Sequence, residues 1–245
     1  MARELLLLYK YASLFRELIN SKVRSSNGSI KKLLRLNDES DWNFLTAAMD
    51  IIDDASSAIS HVQEFGLGGP TKYNDIGEKY LRLYGLLSAT YIQQEAILTI
   101  YRIMNVPNLK TAINRFASLD IRSLRHKLSS HGTEYFDRMT GKKEAYVPLR
   151  FDLGDMNVTA VNHTGSARHQ KVDLAKAIQE HVELVIDVLD GVVEKSIRTV
   201  FGASKNKKEF LDKLSDLRIE KAGGLVFKAE GGPKLIVTFV GSEAK

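Results

Sequence analysis

Hydrophobic residues recur at helical spacing through most of the first two-thirds of the chain. Between Glu4 and Ile19 they return every three or four residues, as on one face of an α-helix. A second such segment runs from Asp41 to Phe65 and ends at Gly66–Pro70, since glycine frees the backbone and proline cannot continue a helix. A third extends from Asp75 to Asn105. Its apolar surface is wide enough to predict a central place in a helical bundle.

Helical spacing continues beyond this third segment. Pro107 opens one stretch, and Asp120 precedes another that we expect to end at Gly132. A long amphipathic helix is predicted from Val172 to Phe201, and a last helix ends near Leu217.

Two regions have the residue pattern of β-hairpins. Residues 145–153 and 156–161 predict two short strands around a tight turn, and Pro148 places the first of them at a sheet edge. Residues 224–227 and 235–240 predict a second hairpin near the end of the chain.

These elements predict a mainly α protein, a helical bundle with one or two small β-hairpins. We expect residues 1–204 to form the bundle, with the hairpin near 145–161 inserted, and residues 205–245 to form a C-terminal helix plus hairpin tail. Of the residues, 44% are hydrophobic and 27% charged, as in ordinary soluble proteins. The apolar run Leu5–Leu8 is too short for a signal peptide or a membrane span, so we expect a cytoplasmic protein with no membrane partner.

The sequence lacks the residue patterns of several kinds of site. It contains no cysteine, which excludes disulfides, thiolate metal sites and a cysteine nucleophile. The glycine-rich stretch Gly66–Gly69 is not followed by the Lys-Ser/Thr pair of a phosphate-binding loop. Glu-x-x-His metal pairs, Gly-x-Ser-x-Gly elbows and His-Glu-x-x-His zinc motifs do not occur. We therefore expect neither a metal nor a cofactor.

One polar cluster combines fixed cations with imidazoles near the end of a predicted helix. Arginine offers a rigid fork of donors for phosphate oxygens, and histidine can take up and return a proton near neutral pH. The net charge of +5, from 35 Lys and Arg against 30 Asp and Glu, permits a polyanionic partner. The cluster consists of Arg122, Arg125, His126, Lys127, Ser129, Ser130 and His131.

The segment Arg125–His131 resembles the Arg-x(4–6)-His motif of HEPN-domain proteins, and the similarity covers about residues 42–132 and the helix from Val172. The resemblance implies a dimeric helical bundle. It further implies a metal-independent ribonuclease of a toxin–antitoxin, phage-defence or CRISPR-associated system, with RNA and an antitoxin or other protein as partners. The implied catalytic residues are Arg125 as phosphate ligand, His131 as general base and His126 as an auxiliary group. Arg122, Lys127 and Ser129 would bind substrate.

Three other interpretations stay open. The cluster could bind RNA or a nucleotide without cutting it. It could be structural, with Arg125 paired to a carboxylate and His131 at a helix C-terminus, where a cation is favoured. The tail over residues 224–240 could instead accept a partner's strand at its open edge. On a continuous helix Arg125 and His131 lie about 120° apart, so a joint site requires the helix to unwind or a symmetric dimer to form.

Overall fold

The computed structural model describes residues 2–25, 27–71, 74–130, 133–137, 141–164, 169–202, 204–228 and 234–238. The prediction of a mainly α protein with small sheets is confirmed. The short second helix was not predicted, and the long helices lie close to where the hydrophobic pattern placed them. The helices of the described residues are α1 (Ala2–Arg24), α2 (Ile30–Leu34), α3 (Asp41–Phe65), α4 (Ile76–Ile103), α5 (Leu109–Ala117), α6 (Asp120–Arg125), α7 (Leu174–Val200) and α8 (Lys205–Lys221).

Side-chain caps explain where three of the helices begin. Asp75 accepts a hydrogen bond from the backbone N–H of Glu78 (2.8 Å), which fixes the start of α4. Asp173 and Ser204 cap α7 and α8 in the same way. Each cap satisfies a backbone donor that the helix itself leaves unpaired.

Three small antiparallel sheets accompany the helices. Both predicted pairs of strands are present, and Pro148 lies in an edge strand as expected. The prediction for residues 149–153 was wrong, because the first strand ends at Pro148 and Arg150–Asp152 form a 3₁₀ turn, so the two strands are joined by a longer connection and not by a tight turn. The first sheet was not predicted, nor was β5, which occupies residues where helix α7 was expected to begin. The strands are β1 (Tyr135–Asp137) and β2 (Lys142–Glu144), then β3 (Tyr146–Pro148), β4 (Asn157–Asn162) and β5 (His169–Asp173) in the order β3-β4-β5, then β6 (Leu225–Lys228) and β7 (Lys234–Val237).

A single hydrophobic core joins the helices. α4 packs along α3 and also contacts α5, α6 and α7, while α1 packs against α3, α7 and α8. Phe210, Leu214 and Leu217 of α8 are buried in the same cluster as Leu8 and Phe15 of α1, so α8 is part of the bundle's packing. In the described part of the chain, no helix combines the length and apolarity needed to cross a membrane.

One face of α4 remains at the surface. Leu81 is 70% exposed, Ile92 43% and Tyr84 39%, although the opposite side of the helix is fully buried at Leu83 and Leu87. The wide apolar surface that suggested a central helix is therefore covered only in part within one chain.

The glycine-rich stretch after α3 packs closely against the turn that contains Asp155. Gly66 has φ +65° and ends α3, and a β-carbon at this position would overlap the carboxylate of Asp155. The backbone N–H of Leu67 donates to the carbonyl oxygen of Asp155 (2.9 Å), which ties the loop to the turn before β4. The contact requires both the left-handed backbone and the missing side chain.

We expect Gly66→Ala to lower the free energy of unfolding by about 1–3 kcal/mol, because alanine there is strained and clashes with Asp155. Urea denaturation would measure the change. The control is Gly191→Ala in α7, where a β-carbon meets no atom within 4 Å and should stabilise the helix by up to about 1 kcal/mol. Equal stability of Gly66→Ala and the parent would show that the loop is not held as described.

Candidate functional site

The predicted phosphate ligand, Arg125, lies at the end of α6 against the outer part of α4. Its guanidinium carbon is 3.8 Å from the centre of the Tyr91 ring, which is a cation–π stack. The side chain is half-buried, and no carboxylate of the described residues forms an ion pair with it. The expected structural alternative, in which Arg125 pairs with a carboxylate, is therefore not seen within the described part of the chain.

The backbone changes its helical form immediately after Arg125. His126–Ser130 form a turn of π-helix, and Leu124 and Leu128 on either side of the junction are buried and anchor it to the core. Such turns widen the helix by one residue and often occur at functional sites. The α-helix after Arg125 is thus replaced by a wider helical turn over these five residues.

His126 lies beside the Arg125 guanidinium. Arg125 Nη1 is 3.4 Å from His126 Nδ1, and the imidazole meets the edge of the Tyr91 ring with 5.9 Å between ring centres. Since a guanidinium can only donate, Nδ1 accepts, and the neutral ring then carries its proton on Nε2. In this form Nδ1 is engaged with Arg125 and is not the atom that would remove a proton.

Arg122 also contacts Tyr91, but polar neighbours hold it firmly. Its guanidinium is 4.8 Å from the ring centre, and it donates to Gln94 Oε1 (2.9 Å) and Glu95 Oε1 (2.8 Å). Only 14% of this side chain is exposed, so the ion pair with Glu95 is partly shielded from water. Arg122 is therefore a poor candidate for direct substrate binding and a good one for positioning Tyr91 and α6.

The Arg122 contacts continue into a buried polar network between α3, α4 and α7. Gln94 Nε2 donates to His181 Nδ1 (3.2 Å), and His181 Nε2 donates to Gln93 Oε1 (2.8 Å). Gln93 Nε2 in turn donates to Ser56 Oγ (2.9 Å). Each of these groups has a partner, which is what makes such a network tolerable in a core.

His181 is the centre of this network and is held in its neutral form. It has no exposed surface, and burial lowers its pKa from 6.5 to about 3. A neutral ring can accept at Nδ1 and donate at Nε2 at the same time, as the two glutamine contacts require.

Lys127 points toward the sheets rather than toward Arg125. Its Nζ donates to Gln170 Oε1 of β5 (2.7 Å) and lies 5.0 Å from the Tyr146 ring centre and 5.9 Å from that of Tyr135. These contacts fasten the π-helical turn to the sheet. Ser129 is exposed on the same turn.

The structure thus brings Arg125, His126 and Arg122 together around Tyr91 and directs Lys127 elsewhere. His131, the predicted general base, lies outside the described residues. Within the described part of the chain, no group of acidic residues and histidines has the arrangement of a metal site.

Two surface hollows bear on the choice of site. A concavity of about 270 Å³ opens beside Arg122 and is bordered by Arg102. A larger cleft of about 550 Å³ between α1, α5 and α7 is bordered by the carboxylates of Glu4, Glu180, Glu183 and Asp187 and by the cations Arg115 and Lys221, which pair with Asp187. Its lining is acidic on balance, which disfavours a polyanion. The Arg125 cluster is the better candidate for an anionic ligand.

Comparisons of the chain with protein-family models, with curated proteins and with solved structures find no match.

Sequence reasoning missed the residues that support the cluster. Tyr91, Gln93 and Gln94 lie in the region that resembles the family, but neither they nor His181 were given a role, although two adjacent glutamines in a helix predicted to be central are a usable signal. Such residues in a central helix must find partners when buried.

Proposed function

We propose that this chain is a metal-independent endoribonuclease that cleaves single-stranded RNA at the Arg125 cluster. The observation that carries the proposal is the guanidinium of Arg125, which is stacked on Tyr91, ordered by a packed helix end, and unpaired with any carboxylate of the described residues. A second guanidinium, that of Arg122, lies against the same ring. Glu95 already neutralises Arg122, so a phosphodiester would meet the charge of Arg125.

The chemistry needs a base, a nucleophile and charge stabilisation. The ribose 2′-oxygen attacks the adjacent phosphorus as its proton passes to the base, which we assign to His131 from the motif. The bond from phosphorus to the 5′-oxygen breaks, and this oxygen takes up a proton from solvent water. The products are a 2′,3′-cyclic phosphate and a free 5′-hydroxyl. Arg125 stabilises the charge that develops on the phosphoryl oxygens, and His126 beside it is the auxiliary group.

The proposal includes a wider setting for the protein. We propose that it works as a homodimer in the cytoplasm and serves a defence or toxin module with a protein partner that restrains it. The motif in its helical surroundings supports this setting. A restraining partner is expected because an unrestrained ribonuclease would harm its own cell.

We expect purified protein to cleave unstructured RNA in the presence of EDTA and to leave a 2′,3′-cyclic phosphate. The same sequence made as DNA, or with the 2′-hydroxyl methylated, should stay intact because the nucleophile is lost. His131→Ala should abolish cleavage. Gel electrophoresis of end-labelled oligonucleotides, with mass spectrometry of the products, would measure these results.

If the folded protein cleaves none of a varied set of RNAs, the proposed ribonuclease activity is wrong. If such protein still binds RNA, and Arg125→Ala weakens the binding, the cluster serves recognition without catalysis. If the protein neither cleaves nor binds RNA, the cluster has a structural role only.

A further inference from the structure

The cations of this chain are distributed unevenly between the body of the helical bundle and one of its ends. In the body, Lys10 of α1 pairs with Glu220 of α8 (2.5 Å), and Lys213 of α8 pairs with Glu17 of α1 (2.5 Å). Where α1 ends and α8 begins, the cations form no ion pair with a carboxylate of the described residues. We call this surface the basic end, and its residues are Lys22, Arg24, Lys31, Lys32, Arg35, Lys205, Lys207 and Lys208.

Two segments of the sequence supply these cations. Residues 18–37 contain five Lys or Arg and no Asp or Glu, and residues 199–208 contain three Lys and again no acidic residue. The carboxylates that follow the first segment are used inside the loop before α3. Asp38 accepts two hydrogen bonds from Ser40 (2.8 Å each), and Asp41 accepts one from the backbone N–H of Asp38 (3.0 Å). Neither carboxylate forms an ion pair with the basic end.

The fold brings both segments to the same end of the bundle. The two ion pairs between α1 and α8 show that these helices run antiparallel, and five residues beyond the second pair the same register brings Lys22 to the level of Lys208. Lys22 Nζ lies 5.7 Å from the ring centre of Phe201, and that ring stacks on Phe210 of α8 with 5.3 Å between centres. Helix α2 follows α1 in the chain and packs against it. Positive charges from three helices therefore gather at one end of the molecule.

Some of these cations occupy positions where the backbone disfavours them. The first turn of α8 contains Lys205, Lys207 and Lys208 and no acidic residue, although the positive end of the helix dipole repels cations there. Arg35 ends α2 with φ +57°, in the left-handed region where glycine or asparagine is usual. Positions at which a sequence departs from its own local rules are expected to be functional sites. A bound anion would remove the repulsion at the start of α8.

We propose that the basic end is a second RNA-binding surface, which holds the phosphate backbone of the strand without regard to its bases. This inference rests on the proposed function and extends it. The Arg125 cluster, on α4 and α6, cuts the strand, whereas the basic end, on α1, α2 and α8, holds it elsewhere. Exposed lysines are mobile point charges that accept phosphates in many geometries, so their binding is electrostatic and independent of base sequence.

The uncharged residues of the basic end favour a nucleic-acid strand over a membrane surface. A peripheral membrane site usually adds apolar side chains that enter the boundary between headgroups and acyl chains. In these segments Leu34, Phe201 and Phe210 are buried in the core instead. Among the described residues, none of the exposed large hydrophobic side chains lies within 18–37 or 199–208. Binding here must therefore depend on charge, as contacts to a phosphate backbone do.

Removing charge tests this surface. The basic-end variant replaces four exposed cations with glutamine, and the control variant makes the same change at four exposed lysines in other parts of the molecule, so the net charge falls equally. The probe is a fluorescent polyuridine RNA with methylated 2′-hydroxyls, which the proposed reaction cannot cut. The basic-end positions are Lys32, Arg35, Lys205 and Lys208, and the control positions are Lys110, Lys142, Lys171 and Lys176.

We expect the basic-end variant to bind the probe about tenfold more weakly than the parent or the control variant, measured by fluorescence anisotropy. Its affinity should also depend less on salt. The slope of log K against log salt concentration should become shallower by about two to three, since each phosphate contact of a single strand contributes about 0.7. In cleavage of a long RNA the variant should raise KM and leave kcat unchanged, and cleavage of a dinucleotide should not change.

The proposal is overturned if the parent does not bind the probe, or if the two variants bind it equally while circular dichroism shows both to be folded. It is also overturned if the basic-end variant keeps its RNA affinity and instead loses binding to vesicles of phosphatidylserine and phosphatidylcholine. Binding of the probe is measured without cleavage. A weakened basic-end variant of a protein that never cuts RNA would support this surface and show that the ribonuclease activity is wrong, whereas cleavage with equal affinities would show the reverse.

Discussion

Replacing Arg125 with alanine should slow RNA cleavage by about 10²–10³-fold and leave the protein folded. This is the usual loss when one donor to a developing oxyanion is removed. The fold should be spared because the guanidinium stacks on Tyr91 and pairs with no carboxylate of the described residues. Single-turnover cleavage of a labelled RNA would give the rate, and thermal denaturation the stability. Arg125→Lys should recover part of the activity at most, since lysine keeps the charge but not the planar donor fork.

Two other arginines supply the controls for this experiment. Arg102→Ala removes the same charge from an exposed position near the end of α4 and should retain most of the activity. Arg122→Ala should mainly reduce stability, because it leaves Gln94 and Glu95 without their donor. If Arg125→Ala and Arg102→Ala cleave RNA equally fast, the phosphate-binding role of Arg125 is wrong.

Replacing His181 with alanine should lower the free energy of unfolding by about 3–5 kcal/mol. The change opens a cavity in the core and removes partners from Gln93 and Gln94, which are fully buried. Urea denaturation at neutral pH would measure the loss. His181→Gln should lose less because its amide can both donate and accept. The control is Ser196→Ala, a buried change on the same helix that removes a bond only to the neighbouring carbonyl of Val192.

The same histidine predicts how stability depends on pH. The pKa of His181 is about 3 in the folded protein and 6.5 when the chain unfolds, so at mildly acidic pH only the unfolded chain takes up the proton. The contribution of His181 to the free energy of unfolding is intact above pH 6.5 and is lost progressively as the pH falls toward 3. Between about pH 7 and pH 5 this one group accounts for a loss of about 2 kcal/mol. The His181→Ala variant should lack that part of the slope, and an unchanged slope would show that His181 is not buried in its neutral form.

The buried network connects this stability to the candidate site. Gln94 contacts His181 on one side and Arg122 on the other, and Arg122 and Arg125 share the Tyr91 ring. Changes at His181 are therefore expected to affect cleavage indirectly, through the position of α6. Comparing His181→Ala with Arg125→Ala separates the two effects, since only the first should also lower stability strongly.

Local patterns were sufficient for most of the helices. The hydrophobic periodicity of α3, α4 and α7, together with Asp75 as a cap and glycine after Phe65, places these elements to within a few residues. Strand β5 was missed because Val172 and Leu174 also fit the helical period. Pairing with β4 and the cap at Asp173 decide that the helix begins only at Leu174.

For the candidate site, the sequence by itself determined which residue types are available: a guanidinium and imidazoles near the end of a short helix, in a chain without cysteine. Only the tertiary structure decided how they are used, because spacing along the chain does not fix partners from other helices. Arg122 is held by Gln94 and Glu95 of α4, and Lys127 is drawn to Gln170 of β5, whereas Arg125 stays with Tyr91. Composition and periodicity describe one helix at a time, and a site is formed where several helices meet.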